Sequence, residues 1–183
     1  MQLYSIGHSN HAPERFIELL RLHGIEAVID VRSVPYSRRF PHFGRESLTS
    51  WLRSGGIEYH FCGDSLGGFP EDRACYAETG QVLYERVVQK PFFQNALQQL
   101  LELPYARVAL MCSEEDPNDC HRAKLIAQYL LKARGIDVLH IRANGSLLSE
   151  SERLTKQTAS LFEEFELGAS HKALGNESKR LGG

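Results

Sequence analysis

The side chains best equipped for chemistry sit in one segment, Met111-Cys112-Ser113-Glu114-Glu115-Asp116-Pro117-Asn118-Asp119-Cys120-His121-Arg122. A cysteine at a strand end, ahead of a loop that enters a helix, is placed where helix N–H groups and arginines stabilise a thiolate. Cys112 is therefore a candidate nucleophile or thiol donor. His121 can relay a proton, Glu114 can orient it, Ser113 can touch substrate, and Arg122 can clamp a phosphate or carboxylate with two bonds. The opposing reading makes Cys112 a small buried hydrophobe and Cys120-His121-Arg122 a helix start facing water. The acids Glu114, Glu115, Asp116 and Asp119 would repel an oxyanion and raise a thiol pKa unless arginines neutralise them. They can instead supply a general base, or hold Arg32, Arg38 and Arg39 in place.

The same segment offers metal ligands. Cys112, Cys120 and His121, with His60 or Cys62 as a further ligand, are thiolates and imidazoles suited to zinc. Their spacing matches no zinc-finger pattern, so no cofactor is predicted and zinc stands as an alternative. A second group follows the first two strands. His8, Ser9 and Asn10 form a polar turn, and Asp30 precedes the stretch Arg32–Arg45. That stretch carries Arg32, Arg38, Arg39 and Arg45 with no acid among them, and Tyr36, Phe40 and Phe43 interleave. Arginines bind phosphates and aromatic rings stack on bases. Ser9, Asn10, Ser33, Arg38 and Arg39 join Arg32 as candidate substrate contacts, against the simpler reading of a polar turn and a solvated basic loop anchored by its rings. His8 is a candidate acid or base, Asp30 its orienter.

These residues need a scaffold. Leu3–Ile6 reads as a strand, and Pro13 opens a helix whose Phe16, Leu19 and Leu20 recur at helical spacing until Gly24. Ile25–Val31 is apolar on consecutive positions, as a parallel strand covered on both faces would be. Leu48, Trp51 and Leu52 mark a short helix ended by Gly55-Gly56, and Ile57, Tyr59 and Phe61 alternate as a strand. Gly63–Pro70 reads as a loop, and a helix is expected near Val82–Val88. Pro91 opens a further helix, Arg107–Cys112 is a buried strand, and Asp119 is expected to cap a helix from Cys120 to Gly135. Ile136–Ile141 reads as a strand. Ser149-x-x-Glu152 has the form of a capping box before a helix with Leu154, Leu161, Phe162 and Phe165.

Alternating strands and helices predict a single α/β domain over residues 1–165, with a mostly parallel, Rossmann-like sheet and helices on both faces. Residues 166–183 form a polar tail. In such sheets ligands bind beyond the carboxyl ends of the strands, and the three polar segments all follow strands. The chain has 183 residues and a net charge of −2, which argues against a wholesale polyanion binder while allowing a local basic patch. Met1 runs into a strand with no basic and long apolar leader, and no stretch approaches a membrane span. Four cysteines without compact spacing read as free thiols, so a cytoplasmic location and no membrane partner are expected.

Several blocks together resemble the DUF488 family. They are Ile6-Gly7-His8-Ser9-Asn10, then His23-Gly24-Ile25 with the run from Asp30-Val31-Arg32-Ser33 to Arg38-Arg39-Phe40-Pro41, then Leu66-Gly67-Gly68, then Met111–Pro117 with Cys120-His121-Arg122. The resemblance spans roughly residues 3–145 and implies a compact bacterial or archaeal α/β protein. It implies no activity, since the family is named for its unknown function. One departure is Gly44, where relatives tend to carry asparagine ahead of the next helix; glycine is a tolerable cap.

The expectation is thus an enzyme acting on a phosphate-bearing small molecule, nucleotide or nucleic acid. The rivals are a non-catalytic nucleotide or nucleic-acid binding module and a zinc-dependent hydrolase or structural-zinc protein.

Overall fold

A computed structural model describes residues 1–160 of the protein. The chain divides after Glu150 into two compact units. Of the second, residues 151–160 are described and are helical. The expected inward residues Leu161, Phe162 and Phe165, and the expected tail 166–183, lie outside the described residues.

In chain order the first unit contains β1 (Gln2–Gly7), α1 (Pro13–Leu22), β2 (Ala27–Asp30), α2 (Arg45–Ser54), β3 (Glu58–Phe61) and the single turn α3 (Gly63–Leu66). The turn α4 (Tyr84–Val87), α5 (Pro91–Leu101), β4 (Arg107–Cys112), α6 (Gln128–Arg134), β5 (Leu139–Ile141) and β6 (Leu147–Ser149) complete it. The strands lie side by side in the order β3-β2-β4-β1-β5-β6. Every pairing is parallel except that of the edge strand β6 with β5. Among the described residues no helix is long and apolar enough to cross a membrane.

Two separate cores cover the sheet, as the consecutive apolar residues of β2 require. Ala27 and Ile29 pack on one side with Phe93, Leu97 and Leu100 of α5 and with Leu125, Ile126 and Leu130. Val28 packs on the other with Phe16, Leu19 and Leu20 of α1 and Leu48 and Leu52 of α2. Period-2 alternation within one strand thus supplies both cores.

Three local expectations need correction, and one strand was not expected. The segment expected as a loop at Gly63–Pro70 begins with the helical turn α3. Asp119 does not cap a helix. The turn Pro117–Asp119 is a 3-10 helix capped by Asp116, whose carboxylate accepts the Asn118 N–H at 2.8 Å. Cys120 is extended, and the next helix opens as a π-helical stretch, Arg122–Ala127, that runs into α6. The short polar turn after β5 returns as β6, a strand too brief to show an alternating pattern.

The strand order places the site. The chain leaves β1 and β2 through α1 and α2 on one face, and leaves β4 for the opposite face. Because β4 lies between β1 and β2, the three carboxyl ends diverge around Cys112. This is the divergence at which open α/β sheets bind ligands.

Gly7 shows how closely these ends approach. A Cβ built there would lie 1.8 Å from the Glu114 carbonyl oxygen. Backbone on both sides leaves no soft atom to yield, so Gly7→Ala is expected to cost roughly 2 kcal/mol or more. A denaturant melt of the variant checks this; an unchanged midpoint would mean that the loop after β4 relaxes freely.

Candidate functional site

Backbone hydrogen bonds extend the sheet beyond its last residues. His8 N–H donates to Cys112 O at 2.8 Å, Ser9 N–H to Ser113 O at 2.9 Å, and Val31 N–H to Met111 O at 3.0 Å. The polar turns after β1, β2 and β4 are thereby fixed in register with one another. Ser9 takes φ 45°, the one positive value for a non-glycine residue among those described.

Asp30, at the end of β2, is fully buried and holds Arg32 in a two-pronged ion pair. Nε donates to Oδ1 at 2.9 Å and Nη2 to Oδ2 at 2.7 Å. Nη2 also donates to Phe43 O at 2.9 Å, and Nη1 to His8 Nε2 at 3.2 Å. Tyr59 donates its hydroxyl to Asp30 at 2.9 Å. Burial, reinforced by the Asp30 carboxylate, pushes the Tyr59 phenol up, so it remains a donor. His8 stacks on Phe43 with ring centroids 4.3 Å apart. Burial first, and the Arg32 charge second, lower its pKa to about 4. A guanidinium can only donate, so Nε2 of His8 accepts and the ring proton sits on Nδ1, which donates to Ser9 O at 2.9 Å. His8 is a neutral ring whose two nitrogens are both engaged within the protein.

Arg122 is wholly buried, and its donors face the backbone. Nη1 donates to Glu114 O, Nη2 to Glu115 O at 2.7 Å, and Nε to Ser5 Oγ at 3.2 Å. Ser5 Oγ lies 2.7 Å from His140 Nδ1, and His140 Nε2 lies 2.8 Å from Glu150 Oε2, all of them buried. This chain of contacts fixes the loop after β4 from behind.

In front of that loop two sulfurs and a ring converge. His121 Nε2–H donates to Val31 O at 2.9 Å, which leaves the Nδ1 lone pair free. Nδ1 lies 3.7 Å from Cys112 Sγ and 3.9 Å from Cys120 Sγ, and the three atoms fall within 4.8 Å of one another. All four cysteines are free thiols. The hydrogen bond from the Cys112 thiol holds Cys120 well below the ordinary thiol range, with help from His121 and Arg122. The same bond, with burial, raises Cys112.

The cluster forms the floor of a cavity of about 310 Å³ bordered by Arg32, Ser33, Gly68, Tyr84, Glu114 and Asp119. Exposed Val34 and Phe69 stand at its rim. Gly68 is required by close approach, since a Cβ there would sit 3.1 Å from the His121 ring. A second cavity, of about 430 Å³, shares Ser113 and Glu114 with the first and is bordered by His8, Ser9, Asn10 and Arg39.

The candidates from the sequence thus separate into three sets. Cys112, Cys120, His121, Ser33, Ser113 and Glu114 meet at the first cavity. Ser9, Asn10 and Arg39 meet at the second. Asp30, Arg32, His8 and Arg122 form buried supports, although Arg32 and His8 each reach a cavity wall. Arg38 is exposed and borders neither of these two cavities.

Residues 12–130 match the model of a family described as Domain of unknown function DUF488. The chain belongs to the DUF488 family. The matched span of this DUF488 chain includes Asp30, Arg32 and the whole Cys112–Arg122 segment, and it begins after His8. No curated protein and no solved structure matches the chain.

One residue that the sequence read in another role, Phe43, and two that it did not single out, Tyr59 and Tyr84, complete this DUF488 site. Phe43 supplies both a stacking face and a carbonyl, Tyr59 reaches Asp30 from β3, and Tyr84 lines the first cavity. The interleaved aromatics flagged Phe43 as a possible stacking ring for bases, whereas its ring stacks on His8. Tyr59 sits in an ordinary alternating strand, which carries no such signal.

The neutral state of His8 has a pH consequence. Its folded pKa lies below the unfolded value of about 6.5, so the unfolded chain binds the extra proton first. Stability is complete above about pH 6.5 and falls as pH drops towards 4, by about 3 kcal/mol from this group. His8→Gln keeps an acceptor for Arg32 and removes the titration. Denaturant melts across this range should show a flatter acid limb in the variant, and identical limbs would assign the acid sensitivity elsewhere.

Proposed function

We propose that Cys112, Cys120 and His121 hold a zinc ion and that this DUF488 protein is a hydrolytic enzyme working in the cavity above them. The observation that carries the reading is the geometry of the three ligand atoms. Zinc bonds of about 2.3 Å to sulfur and 2.0–2.1 Å to nitrogen, set tetrahedrally, place sulfur and nitrogen about 3.5 Å apart. The separations here are 3.7 and 3.9 Å. The contact of His121 Nε2 with Val31 O is the second support, because zinc-binding histidines commonly give their other N–H to a backbone carbonyl.

Three protein ligands with a fourth direction open to a cavity is the arrangement of catalytic rather than structural zinc sites. A zinc ion in such a site supplies an activated water at neutral pH. The chain contributes the rest. Cys120 is already biased towards the thiolate that a metal needs, and Arg122 holds the loop that sets the position of Cys112. Glu114 and Asp119 border the same cavity and are exposed carboxylates available to accept a proton.

A second reading is favoured by one specific arrangement, two free thiols gathered around one imidazole nitrogen within 4.8 Å. In it Cys112 or Cys120 acts as a metal-free nucleophile, with His121 as its acid or base. The metal content separates the two. Protein purified without chelators is expected to carry about one zinc per chain, as a set of three protein ligands with an open fourth position binds. Mass spectrometry of the metal should show most of it lost in Cys120→Ser and in His121→Ala, with the fold retained by circular dichroism. Wild-type protein that stays metal-free in zinc-buffered solution, with a thiol alkylated rapidly below pH 7, would establish the nucleophile instead.

A further inference from the structure

The second cavity holds features that the zinc reading does not use. It adjoins the first across the Ser113–Glu114 segment, so a substrate whose reacting end reaches the cysteine cluster can extend into it. We infer that this second cavity is a nucleotide subsite, in which Arg39 takes a phosphate and Tyr36 stacks on the base. Only the direction of the substrate, with its reacting end at the cysteines, rests on the zinc reading.

Charge is the first argument. Of the arginines expected to bind an anion, Arg32 is held by Asp30, Phe43 O and His8, and Arg122 by backbone carbonyls and Ser5. Arg39 is exposed and borders the cavity, with its guanidinium 5.5 Å from the Phe40 ring centroid. Of the acids on the cavity wall, Glu115 is answered by Arg142 at 2.9 Å and by the Ala143 N–H at 3.1 Å. That leaves Arg39 facing one unanswered wall carboxylate, Glu114, which also faces the first cavity.

Shape is the second. Tyr36 borders the cavity with 63% of its surface exposed, which leaves a ring face open to a planar ligand. An exposed aromatic beside an arginine is the arrangement that binds a base and its phosphate. Backbone strain is the third. Ser9, on the opposite wall, keeps φ 45° because its N–H is tied to Ser113 O and its carbonyl to His8 Nδ1. Such strain recurs at ligand contacts, where surrounding structure holds a side chain in an otherwise unfavourable direction. Here it holds the Ser9 hydroxyl and Asn10 at the cavity edge.

The test is calorimetric titration of the full chain with adenosine 5′-monophosphate, adenosine and ribose 5-phosphate. The monophosphate is expected to bind saturably and more tightly than either fragment. Arg39→Ala should weaken it about ten-fold, to the level of adenosine, through loss of the charged bond. Tyr36→Ala should weaken it about ten-fold, to the level of ribose 5-phosphate, through loss of stacking. Both side chains are exposed, so neither substitution threatens the fold. Absent saturation, or unchanged affinity in both variants, overturns the subsite. A metal-free wild type that still binds the monophosphate overturns the zinc reading alone, and a zinc-loaded wild type that does not bind it overturns the subsite alone.

Discussion

A guanidinium sealed from solvent governs this site. Arg122 has no exposed surface, and it reaches two consecutive carbonyls of the loop after β4 together with the hydroxyl of Ser5 in β1. Burying a charge is costly, and the gain in stability over a well-packed apolar replacement is small or negative. Its return is geometric. Carbonyls that would otherwise turn to water are drawn inward, the loop is pressed onto Gly7, and Cys112 is held on the floor of the cavity. The line continues through Ser5 to His140 and Glu150, so strands β1 and β5 share in fixing one loop.

A second buried charge works in the same way on the neighbouring strand. Asp30 and Arg32 neutralise each other, while His8 stays uncharged and completes the shell of acceptors around the guanidinium. Placed on either side of β4, the two arginines spend their donors on the protein, although Arg32 borders the first cavity and the Arg122 charge favours the Cys120 thiolate. The exposed charges at the cavity are the carboxylates of Glu114 and Asp119. This bears on chemistry, because acids beside a cysteine cluster suit proton removal better than they suit binding an oxyanion.

Much of this architecture was legible in the residues. Apolar runs at β2 and β4 announced strands covered on both faces, and Phe16-Leu19-Leu20 and Phe93-Leu97-Leu100 announced the helices that cover them. The polar turns after strands located the site, and Cys112, Cys120 and His121 were grouped as possible ligands. Roles were harder. An arginine in sequence is a cation seeking a partner, and nothing local says whether that partner is a ligand or a carbonyl eight residues back, as for Arg122. Asp119 resembled a cap because the π-helical stretch had no signature in composition. Cys120 and His121 also read as a helix start facing water, yet Cys120 is extended and both side chains turn to one point.

The π-helical stretch Arg122–Ala127 also bears on how this family can vary. A π turn accommodates one residue more than an α turn. Loss of a single residue there would restore regular α geometry and rotate everything before it by about 100°. Arg122 would swing away from its carbonyls while Leu125 and Ile126 kept their places in the core. Length in this stretch is thus constrained as tightly as residue identity. Insertions and deletions among relatives that keep the site should collect elsewhere, in the exposed turns at residues 78–81 and 143–146.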